Sequence, residues 1–146
     1  MGNQTILVDS NVIIYAINRS SPKHEAAQAF LQEHHGQVVL AHQNIMESLR
    51  VLTHKKFQNP MTPVAAIRAV GSIAEACHVI APDWGAYHVA LALVKKHELA
   101  GDKIFDAYLA AMVLAAGVDV IATDNTKDFS MFEGITLVNP FGVQGR

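Results

Sequence analysis

Five acidic residues stand where they could act together, and their surroundings say what they could do. Asp9 directly follows the apolar run Thr5-Ile6-Leu7-Val8, and Asp124 with Asn125 directly follows Val120-Ile121-Ala122, with Asp128 shortly after. Glu47 interrupts the apolar stretch Ile45-Met46-Glu47-Ser48-Leu49, and Asp106 stands between Ile104-Phe105 and Ala107-Tyr108-Leu109-Ala110-Ala111-Met112. An acid set in such apolar company is at least partly enclosed, and an enclosed carboxylate needs a partner or must neutralise. No Lys or Arg is placed beside each of these acids in the sequence. Several carboxylates in one pocket repel one another, and a divalent cation relieves that repulsion. An all-oxygen donor set selects a hard ion such as Mg2+ or Mn2+ over zinc.

Taken singly, each acid has a plainer reading. Asp9 is equally suited to cap a following helix. Glu47 could be a solvated helix residue, Asp106 an N-cap, and Asp124 and Asp128 ordinary turn residues. The argument for chemistry is their joint arrangement. Competing chemistries find little support. The eight His residues are scattered, and the chain has no H-E-x-x-H motif, P-loop, G-x-S-x-G motif or dinucleotide fingerprint. The single Cys77 excludes an internal disulfide and a cysteine zinc cluster, and reads as a core residue. Arg50, His54, Lys55 and Lys56 form a basic group after Glu47, which either completes a helix C-terminus or holds phosphates.

The elements that must position these acids alternate in type. Short apolar runs at Thr5–Val8, Val38–Ala41, Val79–Ala81, Val120–Ala122 and Thr136–Val138 predict five strands. Between them lie amphipathic segments: one after Asp9-Ser10-Asn11, one over Pro22–Glu33 with Ala26, Ala27, Phe30 and Leu31 on one face, and one with Ile45, Met46, Leu49 and Leu52 as its apolar side. Thr62-Pro63 opens a helix to about Ala76, Trp84–His97 is another, and a last helix starts at Ile104 and ends at Gly117. Strands separated by helices predict a three-layer α/β/α domain around a central parallel sheet of about five strands, spanning residues 1–146 as one unit. In such sheets ligands gather beyond the carboxyl ends of the strands, where Asp9, Glu47 and Asp124 fall. Whether the first and fourth strands are neighbours is left open by the sequence.

Composition narrows the function. Of the 146 residues 51% are hydrophobic and 16% charged, which excludes a disordered chain. Eleven Lys and Arg against thirteen Asp and Glu give a net charge of -2, so positive charge for binding a nucleic acid must be local or come from metal ions. No apolar run is long and charge-free enough to span a bilayer, and no membrane role is expected. The expected compartment is a reducing cytoplasm.

At this point the residues resemble a known family, the PIN-domain ribonucleases, and among them the VapC toxins of VapBC toxin–antitoxin systems. The resemblance covers nearly the whole chain. Ile6-Leu7-Val8-Asp9-Ser10-Asn11-Val12 is similar to the opening strand with its Asp-x-Asn, and Glu47-Ser48-Leu49-Arg50-Val51-Leu52-Thr53-His54 to an acidic helix. Phe105-Asp106-Ala107-Tyr108-Leu109-Ala110-Ala111 resembles the third acidic motif, and Thr123-Asp124-Asn125-Thr126-Lys127-Asp128-Phe129 the fourth. Val138-Asn139-Pro140-Phe141 is like the family's tail. Four motifs in order are a strong signal, where each alone is short.

The resemblance implies a metal-dependent endoribonuclease and assigns roles. Asp9, Glu47 and Asp106 match three acidic positions. Thr123 and Asn125 match the fourth motif, Asp128 matches the acid before Phe129, and Asp124 fills a variable slot, so Asp128 or Asp124 completes the cluster. Asp9 and Asp106 would bind Mg2+ or Mn2+ directly, with Glu47 and Asp128 holding a second ion or acting through water. Asn11 and Thr123 would position acids or water. The implied substrate is RNA, tRNA or rRNA, cut to leave a 5′-phosphate and a 3′-hydroxyl. The implied partners are a VapB-type antitoxin and a second copy of the chain. The alternatives are a PIN nuclease of RNA processing and a non-catalytic binding module of the same fold.

Overall fold

The computed structural model describes residues 4–142, so residues 1–3 and 143–146 of the expected 1–146 domain lie outside the described residues. Among the described residues five short strands form one sheet: β1 (Ile6–Val8), β2 (Val38–Ala41), β3 (His78–Ile80), β4 (Val120–Ala122) and β5 (Thr136–Val138). Every pairing is parallel and the order is β3-β2-β1-β4-β5. β1 therefore lies against β4, with Ile6 opposite Val120, Leu7 opposite Ile121 and Val8 opposite Ala122. That register settles the adjacency the sequence left open, and places Asp9 and Thr123 side by side one residue past the strands. β1, β2 and β4 are wholly buried, as a continuous apolar run in a sheet covered on both faces must be. The edge strands β3 and β5 are only partly covered.

Among the described residues six α-helices cover the sheet: α1 (Ser10–Ile17), α2 (His24–Glu33), α3 (His42–Thr53), α4 (Pro63–Glu75), α5 (Trp84–His97) and α6 (Lys103–Ala115). Strand side chains alternate between faces. Leu7, Val39 and Ile121 point into a core with Ala107, Ala110 and Val113 of α6 and Ala86 of α5. Ile6, Val8, Val38, Leu40 and Val120 point the other way, onto Val12, Ile13 and Ala16 of α1 and Ala27 of α2. A third, smaller cluster, Leu52, Ala66 and Val70, joins α3 to α4 and meets Ile14 and Ile17 of α1. The three layers are thus α5–α6, the sheet, and α1–α4.

Several boundaries follow the expected chemistry. The Asp9 side chain accepts the Ser10 backbone N–H at the start of α1, and Thr62 accepts that of Ala65 ahead of Pro63. Other details differ. α2 begins at His24 rather than Pro22, and Ala26 faces solvent, because only Ala27 reaches the core while Phe30 and Leu31 are half-covered. Met46 is 63% exposed instead of packed, since Ile45, Leu49 and Leu52 already fill the seam between α3 and α4. α6 begins at Lys103, so Asp106 lies inside the first turn and is no N-cap. Cys77 is half-buried against the α1–α2 side of the core. No helix among the described residues is long and apolar enough to cross a membrane.

Candidate active site

Asp9 is the most enclosed acid, 9% exposed at the carboxyl end of β1, and its hydrogen bonds come from three elements. Its Oδ2 accepts the Thr123 hydroxyl at 2.8 Å and the Asn11 amide at 3.4 Å. Its Oδ1 accepts the Ser10 backbone N–H at 2.8 Å and, more distantly, the Asn44 amide at 3.5 Å. The Asn11 amide also donates to Thr123 Oγ1 at 3.2 Å, and the Asn125 backbone N–H to the same oxygen at 3.0 Å. Burial nonetheless dominates over these bonds and pushes the Asp9 carboxyl above its ordinary range.

Asn44 was not among the sequence candidates, although it is a completely buried polar residue one turn before Glu47. Its Oδ1 accepts the Ala41 backbone N–H at 3.0 Å, so it fixes the passage from β2 into α3 as well as touching Asp9. Ser48, also buried, bonds the Asn44 carbonyl at 2.7 Å. An Asn in the first turn of a half-apolar helix is the only local signal of this role.

Asp9, Glu47, Asp106 and Asp128 line one cavity of about 860 Å3, together with Ser10, Asn11, Arg50, Asn125 and an exposed fifth acid, Asp102, that was not among the sequence candidates. Its rim carries Met46 and Phe105, the latter 58% exposed. Glu47 is brought in by α3, Asp106 by the first turn of α6, and Asp128 by a 3-10 turn at Thr126–Asp128. The electrostatics bear the mark of crowding. Burial first, then the Asp9 charge, raises the Glu47 carboxyl above its ordinary range, with the Gln43 amide and Arg50 opposing. Asp106 is raised to about 6, first by burial and then by the charges of Asp128 and Asp9.

Asp124 is placed differently. It does not line the cavity; its Oδ2 lies 2.7 Å from Lys23 Nζ and accepts the Tyr15 hydroxyl at 3.2 Å. The two acids of the fourth motif are thereby separated: Asp128 joins the cavity and Asp124 pairs with a lysine a hundred residues away in sequence. Thr123 and Asn11 meet at Asp9, and Asn125 lines the cavity. His54, Lys55 and Lys56 lie beyond α3 and are exposed, and of that basic group only Arg50 reaches the cavity wall.

Among the described residues no three His, Cys, Asp or Glu side chains are gathered tightly enough to hold an ion as they stand. Like charges with no counter-ion do not close up on one another. The donor set itself suits a hard divalent cation: carboxylates only, partly desolvated, with Arg50 and Lys103 the cations that bear on them. What this pocket offers is a place where a cation and a negatively charged ligand can share several of five acids.

Comparison with known proteins gives a concordant result. The PIN domain family matches residues 6–133 of this chain. Ribonuclease VapC24 of Mycobacterium tuberculosis is 29% identical over 133 residues, covering 86% of this chain and 89% of the relative. Among solved structures, DNA-bound VapBC from Salmonella typhimurium aligns with a TM-score of 0.71 at 18% identity, over 94% of this chain and 99% of that one. A toxin–antitoxin complex from Klebsiella pneumoniae aligns with a TM-score of 0.69 at 21% identity, over 95% and 100% of the two chains.

Proposed function

Since this chain belongs to the PIN-domain family, we propose that it is a divalent-metal-dependent endoribonuclease and the toxin of a VapBC-type toxin–antitoxin pair. The observation that carries this reading is the meeting of Asp9, Glu47, Asp106 and Asp128 in one open cavity, three of them with carboxyls raised above their ordinary range. A stable fold gains nothing from such mutual repulsion, whereas a cation site requires it.

In this reading Asp9 and Asp106 hold Mg2+ or Mn2+, and Glu47 and Asp128 hold a second ion or bind its water. When bound, the ion lowers the pKa of a coordinated water and offsets the charge that develops on the phosphate. The chain's own residues do the rest. Thr123 and Asn11 aim the Asp9 carboxylate through Oδ2, and Ser10 fixes Oδ1. Arg50, on the same wall as Glu47, offers a guanidinium to a substrate phosphate. The bound ions supply most of the local positive charge that a chain of net charge -2 otherwise lacks.

The proposed substrate is tRNA or rRNA, and the proposed compartment is the cytoplasm. The proposed partners are a second copy and a VapB-type antitoxin, the latter supported by the fold shared with a toxin–antitoxin complex. The test is cleavage of total RNA by the purified protein with Mg2+ or Mn2+, with EDTA, and with Asp106→Asn as control. Discrete metal-dependent fragments that disappear in the variant support the assignment. Undiminished cleavage by Asp106→Asn, or cleavage that persists in EDTA, sinks it.

A further inference from the structure

Asp124 is one residue from the Thr123 side chain that bonds Asp9, yet it is turned out of the acidic cavity by a set of contacts of its own. Lys23 Nζ lies 2.7 Å from Asp124 Oδ2, and the Tyr15 hydroxyl donates to that oxygen at 3.2 Å. The same ammonium stands 5.1 Å from the centre of the Tyr15 ring and 5.5 Å from that of Phe141, and the two rings meet edge to face at 5.1 Å. Lys23 holds its proton more firmly than an ordinary lysine, chiefly through the bond to Asp124. Four separate segments contribute: α1, the α1–α2 loop, the turn after β4, and the tail after β5.

We infer that this Lys23–Asp124–Tyr15 clasp positions the acidic site, with Lys23 acting as a positioning residue for Asp9. The inference rests on the metal-dependent reading above. The route is short. The Asp124 backbone N–H donates to Asn11 Oδ1 at 3.2 Å, and the other end of that same amide donates to Thr123 Oγ1 at 3.2 Å and to Asp9 Oδ2 at 3.4 Å. Fixing Asp124 therefore fixes the Asn11 amide, which in turn fixes the rotamers of Thr123 and Asp9. The clasp has an electrostatic side as well. Five carboxylates, Asp9, Glu47, Asp102, Asp106 and Asp128, already line the cavity, and Asp124, next to Thr123 in the chain, would add a sixth negative charge nearby. Lys23 compensates that charge locally and keeps the side chain from turning inward. The bond is half-exposed, with the lysine side chain 39% accessible, so its value lies in geometry more than in stability.

Partners that orient ion-binding side chains are commonly worth about 10–100-fold in metal affinity, and one step further out the effect should be about three- to tenfold. The experiment is calorimetric titration of the full chain with Mn2+ alone, with melting of each metal-free protein recorded beside it. The expected result is that Lys23→Met weakens Mn2+ binding about three- to tenfold, that Lys23→Arg restores it to within about twofold, and that Tyr15→Phe, which removes one oxygen and keeps the ring, gives a smaller loss in the same direction. Asp106→Asn, run in parallel, tests the ion site itself. If Lys23→Met lowers only the melting temperature while its Mn2+ affinity stays at the wild-type value and Asp106→Asn has lost affinity, the clasp is merely structural and the inference falls alone. If the wild type binds no Mn2+, or Asp106→Asn binds it as well as the wild type, the metal-dependent reading falls and takes the clasp with it.

Discussion

Replacing Asp106 by Asn should stabilise the metal-free protein at neutral pH while removing its activity. The Asp106 carboxyl is raised from 3.8 to about 6, first by burial, then by Asp128 and Asp9, with Lys103 opposing and Glu47 adding a little. A raised acid binds its proton more tightly in the native state than in the unfolded chain, so stability falls as pH climbs from about 4 to about 6 and stays lowered above that. At about 1.36 kcal/mol per pH unit the full effect is roughly 3 kcal/mol. The carboxyl is only partly enclosed, and solvent screening reduces this to about 1–2 kcal/mol. Asn is nearly isosteric and uncharged, so the variant escapes the penalty. For a chain of this size that is a melting temperature higher by about 3–6 °C at pH 8 in EDTA. The advantage should shrink to about half by pH 4.5, where more of the wild-type acid is itself protonated in the folded state. Calorimetric or fluorescence melts over that range read it directly. With Mn2+ the order should reverse, because only the wild type gains from binding to its native state. A variant that melts at or below the wild type at pH 8, or an advantage that does not change with pH, refutes the account of the pocket as a seat of unrelieved charge.

Two further outcomes follow from the geometry. Thr123→Val removes the 2.8 Å bond to Asp9 Oδ2 and strands the Asn125 N–H and Asn11 amide that share Thr123 Oγ1, so an unfolding free energy lowered by about 1–3 kcal/mol in urea titrations is expected, and an unchanged value would show that water replaces the hydroxyl. Asp128→Asn should abolish metal-dependent RNA cleavage, whereas Asp124→Asn, which only loosens the clasp with Lys23, should reduce it by no more than about three- to tenfold at limiting Mn2+, and equal losses in the two variants would contradict the separation of these acids seen in the structure.

Much of the fold was legible because its signals are local. The runs at 38–41, 120–122 and 136–138 are strands as their apolar content predicts, and the one at 78–80 lies a single residue early. Thr62-Pro63 starts α4 because a capping oxygen and a preset φ act within one turn. The errors arose where packing overrides local pattern. Met46 fits an apolar stripe, yet Ile45, Leu49 and Leu52 fill the seam first and leave it on the cavity rim. Asp106 read alone looks like a cap before an apolar run, but α6 begins at Lys103, one residue ahead of the expected start at Ile104, which sets the acid inside the first turn.

By itself, the sequence determined a parallel α/β layer and a set of acids at the carboxyl edge of its strands, since element type and strand direction follow from short-range periodicity, caps and connection length. It also carried the family motifs. Only the tertiary structure decided which edges meet. The order β3-β2-β1-β4-β5 sets Asp9 beside Thr123, across 114 residues of chain, and no local rule selects that neighbour. The same packing brings Asp128 into the cavity and gives Asp124 to Lys23 across 101 residues. Two aspartates four residues apart in one turn look interchangeable in sequence. They part because charge compensation depends on what lies opposite in space, and the segment opposite each is chosen by how the layers stack.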